Sequence, residues 1–270
     1  MTPSGELREY AEVPDRFTPV AEGSSVSRFD DGRVCVVEGL TWASVTGVDV
    51  AKDEVAALVA EVRARVPAEK NCTWWLGPST RPSDLPELLP LHGLTEPRDG
   101  VSKVLALVLT DEPPRPPAGI DVHLVQTIDE YVASRQVQWD AFDVPEERRT
   151  VQREHLGAEF EESTRFGVPV TFTAALDGRV GATAMAIPSE RGVFLIAGAT
   201  APWARGRGLY RALVHARWEY AVARGTPALV TQADPKTSYP ILKRLGFEDV
   251  CEIRRLEDRR QSIGSTLPSS

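Results

Sequence analysis

Residues 199–211, Ala-Thr-Ala-Pro-Trp-Ala-Arg-Gly-Arg-Gly-Leu-Tyr-Arg, constrain the fold more than any other stretch of the chain. The apolar run 193–197 in front of them predicts a strand, and the pattern over about 209–223 predicts a helix. Two glycines, Gly206 and Gly208, stand between these elements among arginines. A strand, a Gly/Arg turn and a helix in this order present free backbone N–H groups and a positive helix end to a phosphate.

The spacing of the glycines excludes two nucleotide-binding folds. The dinucleotide fingerprint needs a third glycine at the position of Arg211, and the P-loop needs a Gly-Lys-Ser/Thr ending that is missing here. Glycine lets a ligand approach the backbone closely, and arginine adds charge-assisted hydrogen bonds. We therefore predict a phosphate-binding turn formed by Arg205, Gly206, Arg207, Gly208, Leu209, Tyr210 and Arg211.

The same turn resembles the acetyl-CoA signature Arg-x-x-Gly-x-(Gly/Ala) of the GNAT N-acetyltransferase superfamily, with Tyr210 in place of the usual small last residue. Residues 234–247, which end in Leu-Gly-Phe, are similar to the family's next helix, and Gly246 suits a helix C-terminus. The resemblance covers roughly residues 119–257. It implies a GNAT-like acyltransferase fold of the mixed α/β class, built on a mixed sheet.

The resemblance also implies how a donor substrate binds. In the family, amides of the Arg/Gly turn hold the pyrophosphate of acetyl-CoA, and the strand before the turn binds the thioester and the pantetheine arm. That strand end corresponds here to Gly198, Ala199 and Thr200. Ser238 is a further candidate ligand of the pantetheine or a phosphate, with helix capping as the alternative. No metal is implied.

The residues that transfer protons are harder to assign. The family's tyrosine, which serves as the general acid, falls on Leu242, which cannot donate a proton. Tyr239 is the nearest phenol, with core packing as the alternative. The candidate bases are carboxylates of the helices predicted over about 128–142 and 145–162, with a solvated helix face as the alternative. Deprotonation through water would need none of them. These carboxylates are Asp140, Asp143, Glu146 and Glu147.

The proline-rich segment 113–118 predicts a stiff linker between two domains. The second domain, 119–258, is the GNAT-like one, and a polar, disordered tail is predicted for 259–270. The first domain, 1–112, is interpreted either as a degenerate GNAT-like copy, which makes the chain a tandem, or as an unrelated α/β cap. It has no Arg-x-x-Gly-x-Gly, so we expect it not to bind CoA.

Composition narrows the function further. The net charge of −8 argues against nucleic-acid binding, and no apolar run is long enough for a membrane span. Three scattered cysteines indicate neither disulfides nor zinc and fit a cytoplasmic protein. We predict an acetyl-CoA-dependent N-acetyltransferase that acts on an amine of a small molecule, an aminoacyl group, a peptide or a protein, with a homodimer as a candidate assembly. The alternatives are a non-catalytic acyl-CoA-binding regulatory module and transfer of a different acyl group.

Overall fold

The computed structural model describes residues 3–260, so the predicted tail lies outside the described residues from position 261 onward. Within the described range the chain forms eight α-helices: α1 Gly5–Glu12, α2 Val55–Arg65, α3 Leu85–Leu88, α4 Ile128–Ala141, α5 Glu146–Arg153, α6 Leu156–Phe166, α7 Leu209–Ala223 and α8 Tyr239–Arg244. It also forms eleven strands: β1 Ser27–Asp30, β2 Cys35–Glu38, β3 Trp42–Thr46, β4 Asn71–Leu76, β5 Lys103–Leu109, β6 Ile120–Leu124, β7 Val170–Leu176, β8 Arg179–Ser189, β9 Gly192–Thr200, β10 Leu229–Ala233 and β11 Glu248–Asp258.

The chain divides into two compact units whose bounds do not follow the proline segment. Unit A contains residues 3–21 and Ala106–Val250, and unit B contains Glu22–Leu105 and residues 251–260. The prolines at 113–118 and helix α1 therefore both lie in unit A. Strands β5 and β11 each contribute residues to both units. The division of the chain into domains 1–112 and 119–258 stays a prediction.

Unit A is built on strands in the order β5-β10-β9-β8-β7-β6. Strands β6 to β9 pair antiparallel, and β7 and β8 form a hairpin that turns at Asp177 and Gly178. Strands β9 and β10 are parallel because helix α7 carries the chain from one to the other. The sequence predicted the bounds of α7 correctly, since the glycine turn sets its start and its apolar pattern continues to Ala223.

Helix α7 is held against β7, β8 and β9 by its apolar side chains. Leu209, Leu213 and Val214 are fully buried, and so are the small residues that let the helix approach the sheet closely. Helices α4 and α6 bury a separate cluster with β8, formed by Tyr131, Trp139, Leu156 and Met185. Full burial of one large apolar side chain stabilises the fold by about 1.5–3 kcal/mol. Both clusters therefore hold the helices against the strands that they cover.

Unit B repeats this path in a smaller form. Its strand order is β1-β2-β3-β4-β11; β1 to β3 pair antiparallel, and helix α2 joins β3 to the parallel β4. Trp74 of β4 is completely buried in its core. Both units therefore contain three consecutive antiparallel strands, a crossover helix and a fourth strand parallel to the third. In unit A these are β7, β8, β9, α7 and β10, and in unit B they are β1, β2, β3, α2 and β4. This duplicated topology is the one that the tandem prediction requires.

A buried ion pair stabilises unit B. The side chain of Asp258 is 1% exposed, and Arg63 binds it through both carboxylate oxygens at 2.7 and 2.9 Å. Arg260 lies 3.5 Å from the same carboxylate. Removal of one partner leaves a buried charge without its main counter-ion, which is far more costly than loss of an exposed pair.

We expect Arg63→Met to lower the free energy of unfolding by about 3 kcal/mol, because it strands the Asp258 carboxylate. Urea unfolding followed by circular dichroism measures the change. Arg33→Met is the matched control, since Arg33 pairs with Asp31 at 2.7 Å on the surface, and its unfolding midpoint should stay close to that of the unmodified chain. Equal shifts of both variants would contradict the role given to the buried pair.

Candidate active site

Strands β9 and β10 separate halfway along their length. Their parallel register ends at the pair Leu195–Thr231, and the Thr231 hydroxyl donates a hydrogen bond of 3.0 Å to the Leu195 carbonyl at that point. Beyond it, no registered pair joins the two strands within the described residues. The backbone groups of the diverging ends are therefore available to a ligand that enters between them.

A β-bulge lies in β9 at the place where the strands diverge. Met185 pairs with Ile196 and Thr183 pairs with Ala199, so two residues of β9, Ala197 and Gly198, oppose one residue of β8. Ala197 has a φ of +53°, a left-handed conformation that alanine rarely adopts. Both bulge residues are exposed. The bulge thus interrupts the regular ladder of the predicted thioester strand.

The side chain of Gln138 on α4 approaches the bulge from a neighbouring element. Its amide nitrogen lies 3.5 Å from the Ala197 carbonyl, and its amide oxygen accepts a hydrogen bond of 2.8 Å from Arg135. This contact cannot be predicted from the sequence, because an alanine in a left-handed conformation looks like any other strand residue.

The Arg/Gly turn forms the N-terminus of α7, as predicted. Gly206 and Gly208 have φ values of +75° and +89°, which glycine adopts without strain. The first main-chain bond of the helix runs from the Ala212 amide to the Gly208 carbonyl, and no side chain caps the helix. The N–H groups of residues 209–211 are therefore free donors at the positive end of a helix of fifteen residues.

The arginines of the turn differ in their surroundings. Arg205 donates hydrogen bonds to the carbonyls of Thr200 and Ala141 at 3.4 and 3.2 Å, so it joins the end of β9 to the end of α4. Arg207 and Arg211 are exposed, and neither makes an ion pair or side-chain hydrogen bond within residues 3–260. These two guanidinium groups are the ones free to bind an anion.

Gly208 has a structural role that the sequence did not indicate. A Cβ atom on Gly208 would lie 2.7 Å from Cγ and 2.8 Å from Cδ of Pro117. The proline segment therefore packs against the turn and occupies the space that a side chain would need. Glycine at position 208 therefore leaves room for Pro117, in addition to any room that it leaves for a ligand.

Tyr210 turns its side chain away from the turn and towards the bulge. A Cβ atom on Gly198 would lie 2.9 Å from Cε2 of Tyr210 and 3.5 Å from its hydroxyl oxygen. The bulky residue at the position where the family has Gly or Ala thus covers the exposed backbone of β9. Its contribution to cofactor binding, like that of the other predicted site residues, stays a prediction.

The segment before α8 is closed by hydrogen bonds of its own. The predicted helix over 234–247 is only Tyr239–Arg244, because Asp234 organises a turn in front of it: its carboxylate accepts from the Lys236 amide and from the Thr237 hydroxyl. The Ser238 hydroxyl oxygen accepts from the Asp234 amide at 3.1 Å and caps no helix bond. Tyr239 is half-buried, and Leu242 is fully buried.

Two of the four candidate bases are engaged in ion pairs. Asp140 lies 3.0 Å from Arg149, and Glu146 lies 2.6 Å from Arg153. The hydrogen bond from Arg153 lowers the pKa of the Glu146 carboxyl, which makes it a weaker base. Asp143 sits in a left-handed turn, with a φ of +49°. The ion pairs thus disfavour Asp140 and Glu146 as bases, and the assignment of Asp143 or Glu147 stays a prediction.

Helix α1 is the element of unit A that the sequence analysis missed. Its C-terminal residue Glu12 accepts a hydrogen bond of 3.2 Å from the side chain of Gln232, on the diverging part of β10, through its main-chain carbonyl. Glu9 pairs with Arg191 at 2.7 Å. The available signal was Ser4, whose hydroxyl accepts from the Leu7 amide at the start of the helix.

The corresponding place in unit B is closed. Past the ends of β3 and β4, the Arg81 amide donates to the Val48 carbonyl at 2.8 Å, and the Val50 amide donates to the Arg81 carbonyl at 3.3 Å. Before α2, the Glu54 carboxylate accepts from the Ala51 amide at 2.8 Å, where unit A has free donors. A phosphate at this place in unit B would lie beside the Glu54 carboxylate, which repels it, and beside strands whose backbone groups are already paired.

The chain matches no protein-family model and no curated protein. Solved structures do share its fold. The GCN5-related N-acetyltransferase from Kribbella flavida superposes with a TM-score of 0.63 at 19% identity, over 88% of this chain and 91% of that one. The corresponding protein from Sphaerobacter thermophilus gives 0.55 at 17% identity, over 97% and 88%. A tandem GNAT protein from the clavulanic acid biosynthesis pathway, solved without AcCoA, gives 0.56 at 16% identity, over 97% and 90%.

The fold is therefore that of the GCN5-related N-acetyltransferases, and the predicted mixed α/β class is confirmed. Within residues 3–260 no helix has the length and apolar character that a membrane crossing requires. The same part of the chain contains no grouping of three or more His, Cys, Asp or Glu side chains suited to a metal ion.

Proposed function

We propose that this chain, which has the GCN5-related N-acetyltransferase fold, is an acetyl-CoA-dependent N-acetyltransferase with one active site, in unit A. The observation that carries the proposal is the coincidence of two features on one strand. β9 diverges from β10 with a bulge at Ala197 and Gly198, and the Arg/Gly turn with free donors follows directly after it. Fold alone does not determine chemistry, so the proposed function rests on this local geometry.

The parts of acetyl-CoA match these two features in order, from the pyrophosphate at the turn to the thioester at the bulge. The pyrophosphate would accept hydrogen bonds from the free amides at the start of α7 and from Arg207 and Arg211. The pantetheine arm, which carries amide groups, would then pair with the unpaired backbone between β9 and β10 as an added strand does. The thioester would reach the bulge at Ala197 and Gly198.

The bulge also supplies the chemistry that acyl transfer needs. When an amine attacks the thioester, negative charge develops on the carbonyl oxygen. A main-chain N–H that the bulge releases from the ladder can donate to that oxygen, and one such preorganised donor is worth about 3 kcal/mol of the barrier.

The acceptor is a neutral amine, because only the unprotonated nitrogen has a lone pair for attack. The ion pairs of Asp140 and Glu146 favour proton loss from the acceptor through water rather than through these carboxylates. A non-catalytic acyl-CoA-binding module remains the second candidate, because Leu242 stands where the family has its phenol. Release of free CoA from acetyl-CoA in the presence of a panel of small amines and peptides decides between the two.

Arg207→Ala and Arg211→Ala should each weaken acetyl-CoA binding about tenfold, because each removes an unpaired cation beside the pyrophosphate. Titration calorimetry measures the change. The matched control is Arg224→Ala, which removes an exposed arginine at the other end of the same helix and should leave the affinity unchanged.

The same variants should bind S-acetyl-pantetheine, which lacks the pyrophosphate, as well as the unmodified chain does. Equal loss of affinity for both donors would contradict the assignment of the two arginines to the phosphates.

Native mass spectrometry should find one acetyl-CoA per chain. The reason is that unit B has closed its strand opening with the Arg81 bonds and carries a carboxylate at the start of α2. The double variant Arg207→Glu/Arg211→Glu should show none, since both free cations of unit A are reversed. Two equivalents per chain, or one that survives in the double variant, would place a site in unit B and refute the proposal.

A further inference from the structure

Arg217 is a buried cation without a counter-ion. It lies on α7 and is 1% exposed. Its Nε donates to the Leu213 carbonyl at 3.0 Å, and its Nη1 donates to the Met185 carbonyl at 3.3 Å. Its Nη2 has no hydrogen-bond partner, and within residues 3–260 no carboxylate lies within 4 Å of the guanidinium. A charge in this position is costly unless something compensates it, so its place in the fold calls for a reason.

Tyr210 is the titratable group that faces this cation. The two residues are seven apart on α7, so they lie on the same side of the helix. Burial raises the pKa of the Tyr210 phenol, and the neighbouring Arg217 guanidinium opposes that rise. The phenol is therefore protonated at neutral pH, yet the group beside it is one that stabilises the phenolate.

The Tyr210 hydroxyl also reaches the bulge of β9. It lies 3.5 Å from the position that a Cβ on Gly198 would take, and Gly198 is exposed at the opening between β9 and β10. Any side chain at position 198 would collide with the ring. A protonated phenol, backed by a buried guanidinium, thus stands against the backbone where the proposed function brings the thioester.

We propose that Tyr210 is the proton donor to the departing sulfur of CoA and that Arg217 is the positioning residue that holds the resulting phenolate. This proposal rests on the proposed acetyl transfer. It assigns a group to the step for which Leu242 offers none, and it gives the buried Arg217 cation a counter-ion during the reaction.

The amine nitrogen uses its lone pair to form the C–N bond to the thioester carbon, and the C–S bond breaks with its electron pair on sulfur. Sulfur takes the proton from the Tyr210 oxygen and leaves as a thiol, while Arg217 stays protonated beside the phenolate. The surplus proton of the acylated nitrogen passes to water, and the phenolate recovers a proton from water.

Tyr210→Phe tests this assignment, because it keeps the ring against Gly198 and removes only the hydroxyl. We expect kcat to fall about a hundredfold, as loss of a general acid does, with KM for acetyl-CoA unchanged. The normal solvent deuterium isotope effect on kcat should also disappear. Tyr220→Phe is the matched control on the same helix, since the Tyr220 ring packs on Phe172, and it should retain full activity.

A second measurement needs no turnover. The thiol of bound CoA is titrated through the ultraviolet absorbance of its thiolate. A phenol that donates to sulfur favours the thiolate, so the thiol pKa should lie below that of free CoA and should rise in Tyr210→Phe.

The outcomes separate the two proposals. Failure of CoA to bind at all would overturn the proposed function and, with it, the role of Tyr210. Binding of CoA with the same thiol titration in both proteins would overturn the role of Tyr210 alone. So would a loss of kcat in Tyr239→Phe that Tyr210→Phe does not share.

Discussion

The separation of β9 from β10 is the constraint on which the site depends. Parallel strands normally satisfy one another along their whole length, and here the ladder stops at Leu195 and Thr231. The Thr231 hydroxyl takes over the last bond, and the bulge at Ala197 then carries β9 away. Because the main-chain groups beyond this point are unpaired by the sheet, they are free for a ligand. The Arg/Gly turn follows the end of β9 and leads into α7.

The two units show how the same topology can keep or lose such an opening. Each has a parallel strand pair joined by a crossover helix. In unit B the Arg81 backbone forms hydrogen bonds with Val48 and Val50, which continue the pairing of the two strands. The Glu54 carboxylate places a negative charge at the start of α2. These are few bonds, and no change of strand order accompanies them. Closure of the strands in unit B therefore leaves the shared topology intact, and it is the difference on which the proposal of a single site in unit A rests.

The sequence predicted the parts of the site that depend on local chemistry. The turn at Gly206 and Gly208 and the bounds of α7 follow from glycine conformation and helical periodicity, and both match the structure. The sequence could not predict the parts that depend on distant contacts. Nothing local indicates that Ala197 takes a left-handed conformation or that Pro117 packs on Gly208. The packing of residues 3–21 in unit A is also a long-range outcome, because so short a helix is stabilised by burial rather than by propensity.

The features that lower the stability of unit A are concentrated at one place. Ala197 holds a backbone conformation that costs an alanine about 1–2 kcal/mol, and the bulge interrupts the ladder beside it. Arg217 adds a buried charge with an unpaired nitrogen, against which the Leu213 and Met185 carbonyls offer only dipoles. The apolar face of α7 offsets these costs. Packing alone would favour a hydrophobic residue at 217 and a regular strand at 197. Local rules that fail together around one opening are characteristic of a site shaped for a ligand, and this coincidence links the core of α7 to the chemistry proposed at its edge.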